Sequence, residues 1–189
     1  MKLLEALRWR SQDVHDEALL ALFCGMRAGE IHNLTAADCT LATKMILLRD
    51  TKSGKNRYAY MTPEIEEMLT RRMQGKEPQD LLFPAEDGEV RRWVSSTFDR
   101  TVAELGFNKG ITDARQKVVF HSLRHTFASW LVQRGTPIYE VAKLLGHSTV
   151  RMAERYSHLA PDTVRQAAMN LEGILEQRVG KVITFRKRA

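Results

Sequence analysis

The apolar positions of this chain fall into short runs with two periods, one helical and one extended. Over residues 13–24, Ala18, Leu19, Leu22 and Phe23 share one helical face, Asp13 is a candidate N-cap and Gly25 breaks the run. A shorter helix is expected over 28–34. Residues 45–49 and 57–61 read as two short strands, and the turn glycine in Lys52-Ser-Gly-Lys55 between them predicts a β-hairpin. Thr62 followed by Pro63 is an N-cap and first-turn signature for a helix running to about Met73. Further helices are expected over 89–105, stopped by Gly106, and over 121–133, ended by Gly135. Pro137 starts another, with Ile138, Val141, Leu144 and Leu145 turned inward and Gly146 as its stop. Residues 149–156 and 161–177 read as helical, and 182–185 as a terminal strand before the basic run Arg186-Lys-Arg188. The sum is an α+β, mostly helical domain with a small antiparallel β-sheet, and no interior linker suggests a second domain.

Composition narrows the class. With 43% hydrophobic and 28% charged residues, 189 residues can bury a proper core. The formal net charge of +6 suits a polyanionic partner, of which nucleic acid is the commonest. Cys24 and Cys39 form no C-x-x-C pair, and Cys24 lies in an apolar run, so both read as buried thiols in a reducing compartment. No apolar run approaches the ~18 residues of a membrane span. The first residues, MKLLEALRWRSQ, lack the apolar core and cleavage site of a signal peptide, so a cytoplasmic location is expected.

Candidate chemistry gathers on the helix that begins at His121. At about 100° per residue, Leu123, Phe127, Trp130 and Leu131 occupy one arc, and His121, Arg124, His125 and Ala128 the opposite one. One face should pack while the other presents two imidazoles and a guanidinium. His121 and His125 have the spacing of a zinc pair, but the glutamate of that motif is missing (Ser122 holds its place) and Arg124 would repel a metal. The trio suits an anion instead: arginine offers a planar fork for phosphate oxygens, and histidine exchanges protons near neutral pH. Arg27 stands between Gly25 and Gly29 at a helix junction that can aim it inward, with Glu30 three residues on to pair with it or brace the turn. His147 follows a helix stop, and Tyr156 comes nine residues later. Tyr58, Tyr60 and Tyr139 read as half-buried packing residues. Ser53-Gly-Lys-Asn56 lacks the features of a nucleotide-binding P-loop, and no convincing metal cluster is seen; neither cofactor nor metal is expected.

Taken in order, G-x-R-x-x-E, T-K-x-G-K, H-x-L-R-H-T, L-L-G-H and a tyrosine nine residues further resemble the catalytic domain of the tyrosine recombinases, the family of phage integrases and chromosome-dimer resolvases. The resemblance covers about residues 10–160. It implies that Arg27, Lys52, His121, Arg124, His147 and Tyr156 form an active site that cuts and rejoins double-stranded DNA without ATP. Lys52 is preferred over Lys55 because it precedes the turn in the usual pattern. Glu30 and His125 are read as structural support. In that scheme Arg27 and Arg124 clamp the phosphate, His147 adds a hydrogen bond, and Tyr156 attacks to give a 3′-phosphotyrosyl intermediate. His121 accepts the tyrosine's proton and Lys52 protonates the departing 5′ oxygen. The resemblance also implies a tetramer on DNA, residues 1–160 as the catalytic unit, residues 161–189 as a helix and tail that can dock on a neighbouring protomer, and an upstream clamp domain lying outside this chain. Three other readings stay open: a non-catalytic helix-turn-helix module over 137–156, a type IB-like DNA-relaxing enzyme, and a metal-dependent nuclease.

Overall fold

The computed structural model describes residues 2–49, 56–161 and 169. Helix α1 (Lys2–Arg10) precedes α2 (Gln12–Phe23) and the short α3 (Ala28–His32). Three antiparallel strands follow in the order β1 (Cys39–Thr40), β2 (Met45–Leu48) and β3 (Arg57–Tyr60). Then come α4 (Pro63–Met73), α5 (Ser96–Glu104), α6 (Phe120–Gln133) and α7 (Ile138–Leu145), and 3₁₀ turns over Val150–Met152 and Glu154–Leu159. The mostly helical α+β architecture is the one expected. The expected segments over 161–177 and 182–185 lie outside the described residues, apart from Pro161 and Met169.

Most elements form for the local reasons the sequence offers. In the hairpin, Ile46 pairs with Ala59 and Leu48 with Arg57, and the alternation buries Ile46, Leu48 and Ala59 on one face. Tyr58 and Tyr60 fall on the other face and are exposed, as is Tyr139, in place of the half-buried role expected for them. The Thr62 hydroxyl accepts the Ile65 amide at 3.5 Å to cap α4.

Three elements differ from expectation. Residues 2–10 form a helix that buries Leu4 and Leu7, and its end at Arg10 makes Ser11, not Asp13, the cap of α2. Asp13 is thereby released to pair with Arg72 and Arg91. Helix α5 starts at Ser96, well after the expected 89. Before it, Val90 bridges Pro84, and Arg91, in a non-helical stretch, reaches Glu17, Asp13 and the Pro84 carbonyl, while Ser95 caps the late start. Residues 149–156 form 3₁₀ turns rather than a continuous helix, so the described residues offer no second helix for the helix-turn-helix reading.

Two apolar cores result. The larger is built on α1, α2, α4, the sheet and the N-terminal half of α6, with Phe83 and Phe98 fully buried. Each such side chain contributes roughly 1.5–3 kcal/mol by leaving water. The smaller joins Ala128 and Val132 of α6 to Val141, Ala142 and Leu145 of α7, and to Ala153 and Tyr156. Helix α6 belongs to both, and the candidate residues cluster where the two cores meet.

Candidate active site

Gly25 sets the geometry of the first arginine. Its φ of +62° favours glycine, and a Cβ there would stand 2.5 Å from the Phe127 ring. The chain can therefore turn against α6 at this point, and Arg27 becomes the N-cap residue of α3. Glu30 reaches back: its carboxylate accepts the Arg27 amide at 2.7 Å and the Arg27 guanidinium at 3.0 Å.

The same carboxylate gathers two further arginines. Arg57 Nη2 donates to Glu30 Oε2 at 2.7 Å, and Arg124 Nη1 lies 3.8 Å from that oxygen. Arg124 is 3% exposed, and its terminal nitrogens donate to the backbone carbonyls of Gly25 (2.5 Å) and Leu145. Burial, then Arg27 and Arg57, pull its guanidinium down to about 9. Burial likewise pulls Arg57 below its ordinary value, with Glu30 opposing. Three guanidinium groups thus surround one carboxylate. Arg27, with 39% of its side chain exposed, presents the surplus charge to a cleft of about 1110 Å³ also lined by Lys143, His147 and Ser148.

Arg57 was not among the residues singled out from sequence. Its signal was its phase: it shares the inward face of β3 with Ala59, an unusual register for a charge. From there it donates at 2.7 Å to the Leu144 carbonyl and packs under Gly146, where a Cβ would come within 2.4 Å of Arg57 Cδ. Gly146, at φ +63°, closes α7 in a Schellman turn: its amide donates to Lys143 and that of His147 to Ala142, both at 2.9 Å. The turn holds His147 at the cleft. Burial, followed by Arg124 and Arg27, lowers its imidazole to about 4, and its Nδ1 is buried with no partner among the described residues.

Helix α6 departs from the expected division into a packed and an exposed face. Leu123 is buried as expected, but Trp130 is 38% exposed and leans on Phe23, while Arg124 and Ala128 are buried. The cause is tertiary: α2 covers one side of α6, and the turns around Tyr156 cover the other. Of the charged trio, Arg124 is thereby enclosed, His125 half-buried and His121 left exposed.

Tyr156 is 7% exposed, and its hydroxyl sits 2.5 Å from His125 Nδ1. Burial raises the phenol's pKa, with Arg155 and Arg124 opposing. The His121 ring meets the His125 ring edge to face, centroids 4.8 Å apart. The structure thus brings Arg27, Glu30, Arg124, His125, His147 and Tyr156 around the junction of α3, α6 and α7, with His121 against His125. Lys52 lies outside the described residues. Cys24 and Cys39 are free, buried thiols pushed up to about 12 by burial. No helix of the described residues is long and apolar enough to cross a membrane.

Residues 1–163 match the phage integrase family. This chain belongs to that family. It is 34% identical over 146 residues to the tyrosine recombinase XerA of Saccharolobus solfataricus, covering 77% of this chain and 46% of that one. It spans about half the length of the curated relatives it matches. The solved catalytic domain of bacteriophage HP1 integrase superposes with a TM-score of 0.67 at 26% identity, covering 92% of this chain and 90% of that one. The XerH site-specific recombinase, solved bound to its difH substrate, shares the fold with a TM-score of 0.66 at 24% identity, over 90% of this chain and 52% of that one.

Proposed function

We propose that this chain is the strand-cutting and rejoining unit of a site-specific DNA recombinase, acting through Tyr156. The observation that carries the reading is the charge balance of the pocket. Among the described residues Arg27, Arg57 and Arg124 face a single carboxylate, Glu30, leaving an excess of two positive charges, and Arg124 acts on the buried Tyr156 phenol to hold its pKa down against burial. Such a site calls for an anion, and a DNA phosphate supplies one at the point where a nucleophile waits.

Each residue then has a task. Arg27, partly exposed on the wall of the cleft, grips a non-bridging oxygen. Arg124, fixed by two carbonyls, adds charge from the floor of the pocket, and His147 contributes a hydrogen bond from the cleft wall. Fixed donors that meet the charge developing on a five-coordinate phosphate are a large catalytic contribution, and loss of one such donor costs about 10²–10³ in rate. Tyr156 attacks phosphorus, the bond to the 5′ oxygen breaks, and a 3′-phosphotyrosyl link conserves the energy for rejoining. Lys52 is assigned the protonation of the 5′ oxygen from the family resemblance, and His121 a place in the proton path. Exchange between two duplexes requires four such units; residues 161–189 are proposed as the element that links them, and an upstream domain as the clamp on the far DNA face.

The test uses a pool of nicked duplexes with a randomised core. The chain should form a denaturation-resistant protein–DNA adduct, and Tyr156→Phe should abolish it. An adduct that survives this substitution would show that the nucleophile is misassigned.

A further inference from the structure

We propose that His125 is a catalytic residue of this site, the immediate acceptor of the Tyr156 proton when the phenol attacks DNA. The inference rests on the recombinase reading above and assigns within it a step that the motif order leaves to His121.

The geometry is direct. His125 Nδ1 lies 2.5 Å from the Tyr156 oxygen, and among the described residues it is that hydroxyl's hydrogen-bond partner. With the ring's own hydrogen on Nε2, Nδ1 accepts from the hydroxyl. His121 touches the His125 ring edge to face and makes no hydrogen bond to Tyr156 among the described residues, so it stands one ring further from the phenol.

The surroundings keep His125 neutral and able to accept. Burial, then Arg155 and Arg124, hold its imidazole below the usual histidine value, and His121 and Tyr156 are the other titrating groups in contact with it. Tyr156 is by contrast a reluctant acid, raised by its own burial. A phenol in this state needs a base at hydrogen-bond distance, and one is already there.

The step balances. As the Tyr156 oxygen–phosphorus bond forms, the phenolic proton passes to His125 Nδ1. The phosphorus–5′-oxygen bond breaks, and the leaving oxygen takes a proton from Lys52, the acid of the reading above. On rejoining, a 5′-hydroxyl returns its proton to Lys52 as it attacks phosphorus, the phosphorus–tyrosine bond breaks, and the tyrosine oxygen recovers its proton from His125.

A buried tyrosine hydroxyl also needs a hydrogen-bond partner for purely structural reasons, and the experiment separates the two roles. Adduct formation is timed on duplexes recovered from the randomised pool, with folding checked by thermal melting. His125→Ala should slow the adduct by about 10²-fold or more. His125→Asn retains a hydrogen-bond acceptor near the Nδ1 position but cannot take up the proton, and should stay slow. Replacing Tyr156 by the more acidic 3,5-difluorotyrosine should relieve the His125→Ala defect and leave a His121→Ala defect unrelieved. Full rate in His125→Asn, or relief confined to His121→Ala, would overturn the proposal while the recombinase reading stands. A complete lack of adduct from the unaltered chain would bring down that reading and this inference together.

Discussion

Glu30 is the residue on which the pocket's charge turns. One side chain joins the Arg27 amide, the Arg27 guanidinium and Arg57, with Arg124 close by. Taking it away leaves three guanidinium groups, two of them largely buried, without their shared counter-charge. Removing one member of a buried ion cluster costs about 3–5 kcal/mol, because the remaining charges lose their compensation. Glu30→Ala should therefore lower the thermal midpoint by several degrees, and sulfate should restore more of that loss than it adds to the unaltered protein. Equal sulfate effects on the two proteins would mean that the arginines do not share one anion site. The Arg27–Glu30 part of the cluster was legible because the partners are three residues apart. Arg57 joins them from 27 residues away through the register of a hairpin, which no local pattern reveals.

At the scale of elements, two glycines within the recognised motifs should behave in opposite ways. Gly146 holds a left-handed backbone, and a Cβ there would collide with Arg57 at 2.4 Å. Gly146→Ala should cost at least the ~1–2 kcal/mol of a left-handed non-glycine residue, and should slow cleavage by displacing Arg57 and His147. Gly29 lies in α3, and no atom of the described residues comes within 4 Å of its would-be Cβ. Gly29→Ala should leave stability unchanged or raise it by up to about 1 kcal/mol. Denaturant titration of the two variants checks both outcomes. Helices with strong local stops, such as α4 and α7, were readable because cap and glycine signals act within a few residues. Helix α5 starts later than its pattern suggests because the Arg91 side chain is engaged by Asp13 and Glu17, both more than seventy residues away, in a stretch that is not helical.

At the scale of the whole molecule, a buried ionic layer ties the first helices to the middle of the chain. Asp16, fully buried, receives Arg71 and Arg72 at 2.7 Å each, and Glu17 receives Arg91 at 2.7 Å. Glu17 Oε2 has no partner among the described residues, and burial pushes this carboxyl up to about 7 against the pull of Arg91. Between the ordinary carboxyl value of 4.5 and about 7, the folded protein holds a proton that the unfolded chain releases. Its contribution to stability is therefore present in acid and declines as pH rises through that window. Relative to Glu17→Gln, the unaltered protein should lose up to ~3 kcal/mol over the interval, read from urea midpoints at several pH values. His32, buried 3.9 Å from Glu17 and shifted downward, is present in both proteins and enters the comparison alike. A constant difference between the two proteins across this range would place the Glu17 carboxyl near its ordinary value.

By itself the sequence determined the helices with strong caps, the phase of the hairpin and the order of the motifs, because each rests on residues within about one turn or one strand of each other. It also held the residues of an anion site, since arginine, histidine and glutamate carry their chemistry wherever they are placed. Only the tertiary structure decided which of them meet. It enclosed both sides of α6 and so buried Arg124, brought Arg57 under the α7 turn, and set His125 rather than His121 against the Tyr156 hydroxyl. His121 and His125 point to the same side of one helix, and the choice between them depends on where a turn 31 residues later comes to rest against it. That position is set by the packing of the smaller core, a long-range balance that helical periodicity does not encode.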